Sequence, residues 1–153
     1  MQVVDQLDGD QYDVVTFLHV LEHLIEPQNT LNRMLKNIKK DGLIIIGLPN
    51  VSNAKDRFDM LCGKFEYTNI GVMDRTHVSM FNYYTTLKLI EQADLEIIDY
   101  YTPWQVNPIH ELIDHLPLLC NLRFLFKKDK PFFFKYSKNI TDVVMLFKCK
   151  KKV

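Results

Sequence analysis

Residues 12–23 read YDVVTFLHVLEH, and the fold of this stretch decides what the chain is. From Asp13 the sequence runs apolar and rich in β-branched residues. A run of that kind predicts a strand buried on both faces, over residues 13–19. Its last five residues, His19-Val20-Leu21-Glu22-His23, also spell H-x-x-E-H, the inverted zinc-peptidase pattern. That pattern serves a metal only on a helix, where both histidines project from one face. Here His19 ends the strand and His23 lies in the turn beyond it. No further ligand is marked downstream. The side chains are therefore expected not to converge, and no metal site is expected.

Working outward, Pro27 suits the first turn of a helix. Leu31, Met34, Leu35 and Ile38 follow at helical spacing as one apolar stripe. Lys36, Lys39 and Lys40 crowd the predicted helix end, where cations suit the dipole, and Asp41-Gly42 stops it. LIIIGLP, residues 43–49, is a second buried strand. Strand, helix and strand make a βαβ unit with a parallel pair. Residues 50–81 read as a long irregular loop, of the kind that usually carries function. Asn82 caps a helix with Tyr83, Leu87, Ile90 and Ala93 on one face. Strands follow at 95–101 and 141–147. An amphipathic helix is predicted over 108–126, broken at Pro117.

Composition sets outer bounds. The chain has 153 residues, one domain by length, with 47% apolar and 25% charged residues and zero formal net charge. The charge is unevenly placed: ten of the nineteen Lys/Arg but only two of the nineteen acids fall in residues 121–153. The three cysteines, Cys62, Cys120 and Cys149, are far apart and form no C-x-x-C, which argues against a disulfide framework and a cysteine zinc site. The first residues have no basic n-region and no apolar core, so no signal peptide is expected. No apolar run reaches membrane-spanning length. A reducing cytoplasm is the expected location.

Six matches in order carry a resemblance: Tyr12-Asp13, Glu22-His23, Lys40-Asp41-Gly42, Pro49-Asn50, Asp74 with Thr76-His77, and Ala93-Asp94-Leu95. The chain resembles the class I S-adenosylmethionine-dependent methyltransferases, in particular the ubiquinone-biosynthesis-like and sugar-cluster group. The resemblance covers about residues 12–101, and the terminal strand fits too. Asp41 and Asp94 stand where the family usually has glycine, and aspartate tolerates the left-handed conformation. The family's opening strand and Gly-rich cofactor loop have no counterpart: the five glycines include no G-x-G. Glycine belongs there because the backbone must approach the ligand closely.

The resemblance therefore implies an α/β, Rossmann-like domain that is incomplete. Residues 1–153 are expected to form one truncated methyltransferase domain, with strand order 4-5-7-6 in the family's numbering and the last strand antiparallel. Residues 104–140 are read as an insertion before that strand. The family cofactor is S-adenosylmethionine and the acceptor a small molecule, sugar or lipid. Strand 13–19 becomes a long apolar edge, which invites pairing. A homodimer, or a partner carrying the N-terminal half, is expected to dock there and complete the cofactor site. The alternative is a noncatalytic remnant or interaction subunit on the same half-fold.

By the resemblance, His19, Val20 and Glu22 line the cofactor side of the turn. His23 and His77 are the candidate catalytic residues, with His77 the preferred base because imidazole titrates near neutrality. Asn50, Asp74 and Arg75 are candidate acceptor-binding residues. Asn50 sits at the carboxyl end of a parallel strand, where ligands of open α/β sheets bind; it serves equally as an Asx turn. His77 has a structural alternative, pinning the loop to the following helix. Asp74 and Arg75 either orient His77 or pair at the surface. Finally, RFLFKKDKPFFFKYSK, residues 123–138, interleaves aromatics with basic residues. It reads first as a lid segment, then as a contact for an anionic membrane surface or lipid-linked acceptor. Nucleic acid is the last of these readings.

Overall fold

The computed structural model describes residues 11–105 and 138–152. In chain order the elements are β1 (Tyr12–Leu18), a 3-10 turn (Leu21–His23), α1 (Pro27–Leu35), β2 (Ile38–Pro49), α2 (Ala54–Leu61), α3 (Tyr83–Gln92), β3 (Leu95–Tyr101), the short helix α4 (Lys138–Thr141) and β4 (Val144–Lys151). The strands form one sheet in the order β1-β2-β4-β3. β1 and β2 are parallel, and β4 runs antiparallel to both its neighbours. The predicted βαβ unit is thus present, and the mixed α/β class holds.

One face of the sheet carries the core. Ile44, Ile46 and Leu48 alternate inward along β2, and Met145, Phe147 and Cys149 do so along β4. Leu31 and Leu35 of α1 and Leu89 and Ile90 of α3 pack against them. Gly47 leaves room for its neighbours: a Cβ there would stand 2.7 Å from Leu146 Cδ2 and 2.9 Å from Leu18 Cδ2, so both leucine tips would have to move.

β1 departs from the fully buried strand expected. Only Phe17 is buried, while Val14 is 49% and Leu18 50% exposed. The reason is that, among the described residues, β1 pairs with β2 alone and forms the sheet's edge. α1 ends at Leu35, earlier than the lysine cluster suggested. Ile38 instead opens β2, opposite Tyr12, and is buried. Tyr12 pairs with Ile38 but Val14 with Leu43, so residues 39–42 bulge out of the ladder. Lys39 Nζ reaches Asp13 Oδ1 at 2.8 Å across that bulge. A Cβ on Gly42 would collide with Ile38 Cγ2 at 2.5 Å.

Residues 50–81 are not wholly irregular, since α2 lies within them. Its polar composition hid it, but Asn53 caps it by accepting from Asp56 N at 3.2 Å. α3 starts as expected, with a capping box between Asn82 and Thr85. Asp94 takes φ +53°, the left-handed turn foreseen at that position. β4 begins at Val144 rather than at residue 141, because Thr141 ends α4. The strand then continues through the lysines, with Cys149 buried between Lys148 and Lys150. The helix predicted over 108–126 and nearly all of the basic-aromatic stretch 123–138 lie outside the described residues. Among the described residues no helix is long and apolar enough to cross a membrane.

Candidate functional site

The site is built where the chain leaves β1. His19 N donates to Gly47 O at 3.1 Å, the last rung onto β2. His19 itself takes φ +53°, turning the backbone off the strand. The next turn is 3-10, closed by His23 N to Val20 O and Leu24 N to Leu21 O. It buries Leu21 in the core and turns Glu22 fully inward, at 0% exposure.

A second segment folds over this turn. Val78 N and Ser79 N both donate to Glu22 O, at 2.8 and 2.9 Å, and Ser79 Oγ donates to Leu24 O at 2.7 Å. These bonds place His77 against the turn. His77 Nε2 lies 4.0 Å from Glu22 Oε1, with the His77 side chain only 6% exposed. The His23 and His77 rings meet edge to face, 4.9 Å between centroids. His19 Nδ1 donates to Glu22 Oε1 at 3.0 Å from a half-exposed position. The other carboxylate oxygen, Glu22 Oε2, is buried and has no hydrogen-bond partner among the described residues.

Backbone carbonyls set the state of both rings. His23 Nδ1 lies 3.1 Å from Thr76 O, and His77 Nδ1 lies 2.9 Å from Val72 O. A carbonyl can only accept, so each Nδ1 carries the hydrogen. In the neutral rings Nε2 then holds the lone pair, free to take a proton or an ion.

The other predicted residues divide differently. Asn50 is fully buried, and its polar atoms are engaged by the chain. Nδ2 donates to Asn139 O and Asp142 O, and Oδ1 accepts from Ser52 N. That is the Asx turn, doubled as a clamp between β2 and α4. Asp74 Oδ1 accepts from Thr76 N and Thr76 Oγ1, at 2.8 and 2.7 Å. Those bonds, the backbone one first, hold its carboxyl below the usual range. Its backbone oxygen accepts from His77 N at 3.0 Å, so Asp74 shapes the loop that carries His77. Arg75 is exposed, with its N donating to Thr68 O at 3.0 Å. Val20 contributes its backbone carbonyl to the turn.

His19 and His23 do not come together as a ligand pair, but His23 meets two other residues. Glu22, His23 and His77 each present a donor atom, all within 4.8 Å of one another. His19 stands outside that group. Sequence spacing pointed to the pair 19 and 23, whereas the 3-10 turn joins 22 and 23 to a residue brought in by the loop. Sequence reasoning missed Val72, and it noted Thr76 only as part of a motif, because both act through carbonyls that residue type does not reveal.

Beside the site lies a cavity of about 680 Å³, lined in part by Asp56, Met60, Lys64, Phe65, Val72 and Met73. Val72 joins it to His77. Burial pushes the Asp56 carboxyl above its ordinary value, against the lowering effect of the Asn53 amide.

The sequence profile of a family described as a methyltransferase domain matches residues 2–100. The chain belongs to this methyltransferase family. No curated protein sequence matches it. Solved structures show the same fold. A Bacillus halodurans protein described as a methyltransferase is 14% identical, with TM-score 0.55, over 99% of this chain and 70% of its own. A SAM-dependent methyltransferase of Archaeoglobus fulgidus is also 14% identical, at 0.55, over 93% and 60%. Magnesium protoporphyrin IX methyltransferase of Synechocystis, solved with bound SAH, is 12% identical, at 0.53, over 99% and 49%. This methyltransferase chain thus spans between about half and 70% of the length of these three.

Proposed function

We propose that the chain takes part in methyl transfer from S-adenosylmethionine to a small-molecule, sugar or lipid-type acceptor. The observation that carries this reading is the family match across β1, the 19–23 turn, β2 and the loop to His77. The turn lies at the carboxyl end of parallel strand β1, where ligands of open α/β sheets bind. In the transfer, a lone pair of the acceptor forms a bond to the methyl carbon as the sulfonium–methyl bond breaks. The sulfonium becomes the neutral thioether of S-adenosylhomocysteine, and the acceptor loses its proton. The Nε2 lone pairs of His77 and His23 are placed to receive that proton. His19, Val20 and Glu22 form the cofactor side. The half-open cavity beside Val72 offers the acceptor a wall. Asp74 and Arg75 shape the loop that carries His77, and Asn50 clamps β2 to α4; their part toward the acceptor is to position the chain.

The glycine-rich loop must come from outside these residues, since no G-x-G occurs in them. A partner bearing it would join along the edge of β1 that pairs with no strand among the described residues. Calorimetry with S-adenosylhomocysteine tests the proposal. Micromolar binding supports it. No binding at millimolar ligand shows that the chain is not a methyltransferase by itself; no binding after a partner bearing the glycine-rich loop is supplied refutes methyl transfer and leaves a noncatalytic interaction subunit.

A further inference from the structure

We propose that Glu22, His23 and His77 bind one divalent transition-metal ion, of the class of zinc, cobalt or manganese. Three observations converge. The donor atoms already lie within 4.8 Å of one another. Ligands of a tetrahedral ion with bonds of about 2.0–2.2 Å stand roughly 3.3 Å apart, so small side-chain rotations close the site. Both imidazoles donate Nδ1–H to a backbone carbonyl, which fixes the ring and leaves Nε2 as the ligating atom. This is the outer arrangement that metal-bound histidines use. Finally, Glu22 is fully buried with Oε2 unpartnered among the described residues, while Oε1 takes the His19 hydrogen bond. A buried carboxylate oxygen without a donor is costly, and a cation supplies what it lacks.

Two imidazole nitrogens and one carboxylate suit a first-row transition ion better than magnesium or calcium, which prefer oxygen. Three protein donors leave a position open for water or an acceptor oxygen. Ion and proton compete for the same Nε2 lone pairs: should the methyl-transfer reading hold, His77 takes the acceptor proton in the ion-free chain, whereas in the loaded chain it holds the ion and the ion would acidify an acceptor hydroxyl. Ion binding itself does not depend on that reading, and it is measured without cofactor.

The test is cobalt(II) uptake by the full chain after dialysis, read by metal analysis and visible absorption. One ion per chain is expected. His23→Gln, His77→Gln and Glu22→Gln should each weaken binding by at least about 100-fold, beyond what loss of an outer partner costs. The double variant His110→Gln/His115→Gln should keep full uptake. Each variant is checked for native circular dichroism. A wild-type measurement avoids the risk of unfolding: zinc should protect His23 and His77 from diethyl pyrocarbonate, mapped by mass spectrometry. Substoichiometric uptake by wild type, retention of the ion by folded His23 and His77 variants, or protection confined to other histidines would each overturn the proposal.

Discussion

Cys149 and Cys62 carry the same thiol in opposite settings. Cys149 is fully buried in β4, and burial pushes its thiol up to about 12, from an ordinary 9.0. Cys62 caps the end of α2 in solvent. Alkylation needs the thiolate and access to it. Iodoacetamide at about pH 8, where an ordinary thiol is partly ionised, should therefore label Cys62 in the native protein. Cys149 should be labelled only after denaturant is added. Peptide mass spectrometry separates the two, and native labelling of Cys149 would contradict the packing of β4. The same contrast marks how much of the site could be read from residue types. Glu22, His23 and His77 were legible as polar residues beside a buried strand. Their mutual distance was not, because it depends on two backbone bonds from Val78 and Ser79 to Glu22 O. Nor could Asn50 be assigned, since its partners Asn139 and Asp142 are remote in sequence.

At the scale of elements, helix starts rest on side-chain caps. Asn82 and Thr85 satisfy each other's backbone at the start of α3. Asn82→Ala should cost about 1 kcal/mol, which for a domain of this size lowers Tm by roughly 3 °C. Thermal unfolding followed by circular dichroism measures this, and an unchanged Tm would deny the cap. α2 allows a sharper test. Burial raises the Asp56 carboxyl, so the native state keeps its proton to higher pH than the unfolded chain does. The resulting stability is present below the unfolded value and lost as pH rises through the folded one. Asp56→Asn, neutral throughout, still accepts from Asn53. It should gain on wild type in urea unfolding as pH rises from the ordinary carboxylate range toward neutrality and Asp56 ionises. A constant difference across that range would show that Asp56 titrates alike in both states. These caps also explain the uneven legibility of the elements. α3 and β3 have apolar periodicity as well as a boundary signal, and both were foreseen. α2 has only Asn53 with Asp56 three residues on, and the surrounding polar residues masked it. β2 was foreseen too short because its first residues form a bulge whose lysines imitate a helix end.

At the scale of the molecule, the edge of β1, unpaired among the described residues, sets the behaviour. Side chains opposite one another in the ladder share a face, so Val14 with Leu43 and Leu18 with Gly47 lie away from the core formed by Ile44, Ile46 and Leu48. Val14 and Leu18 are half exposed there, beside backbone groups that pair with no strand among the described residues. An apolar edge of that kind recruits another strand. The partner proposed above is a segment bearing the glycine-rich loop, because a second copy would bring none. Without such a partner, two copies should pair along the same edge. Light scattering should then give a mass above the 18.1 kDa of one chain, rising with concentration. Val14→Lys places a charge on the edge without touching the core, as natural edge strands do. That variant should return the mass to one chain while leaving cobalt uptake unchanged, since Val14 is remote from Glu22, His23 and His77 in the ladder. A wild-type chain that stays monomeric at high concentration would refute self-pairing through β1. A Val14→Lys variant that still associates would place the contact elsewhere, and the route proposed for completing the cofactor site would lose its support.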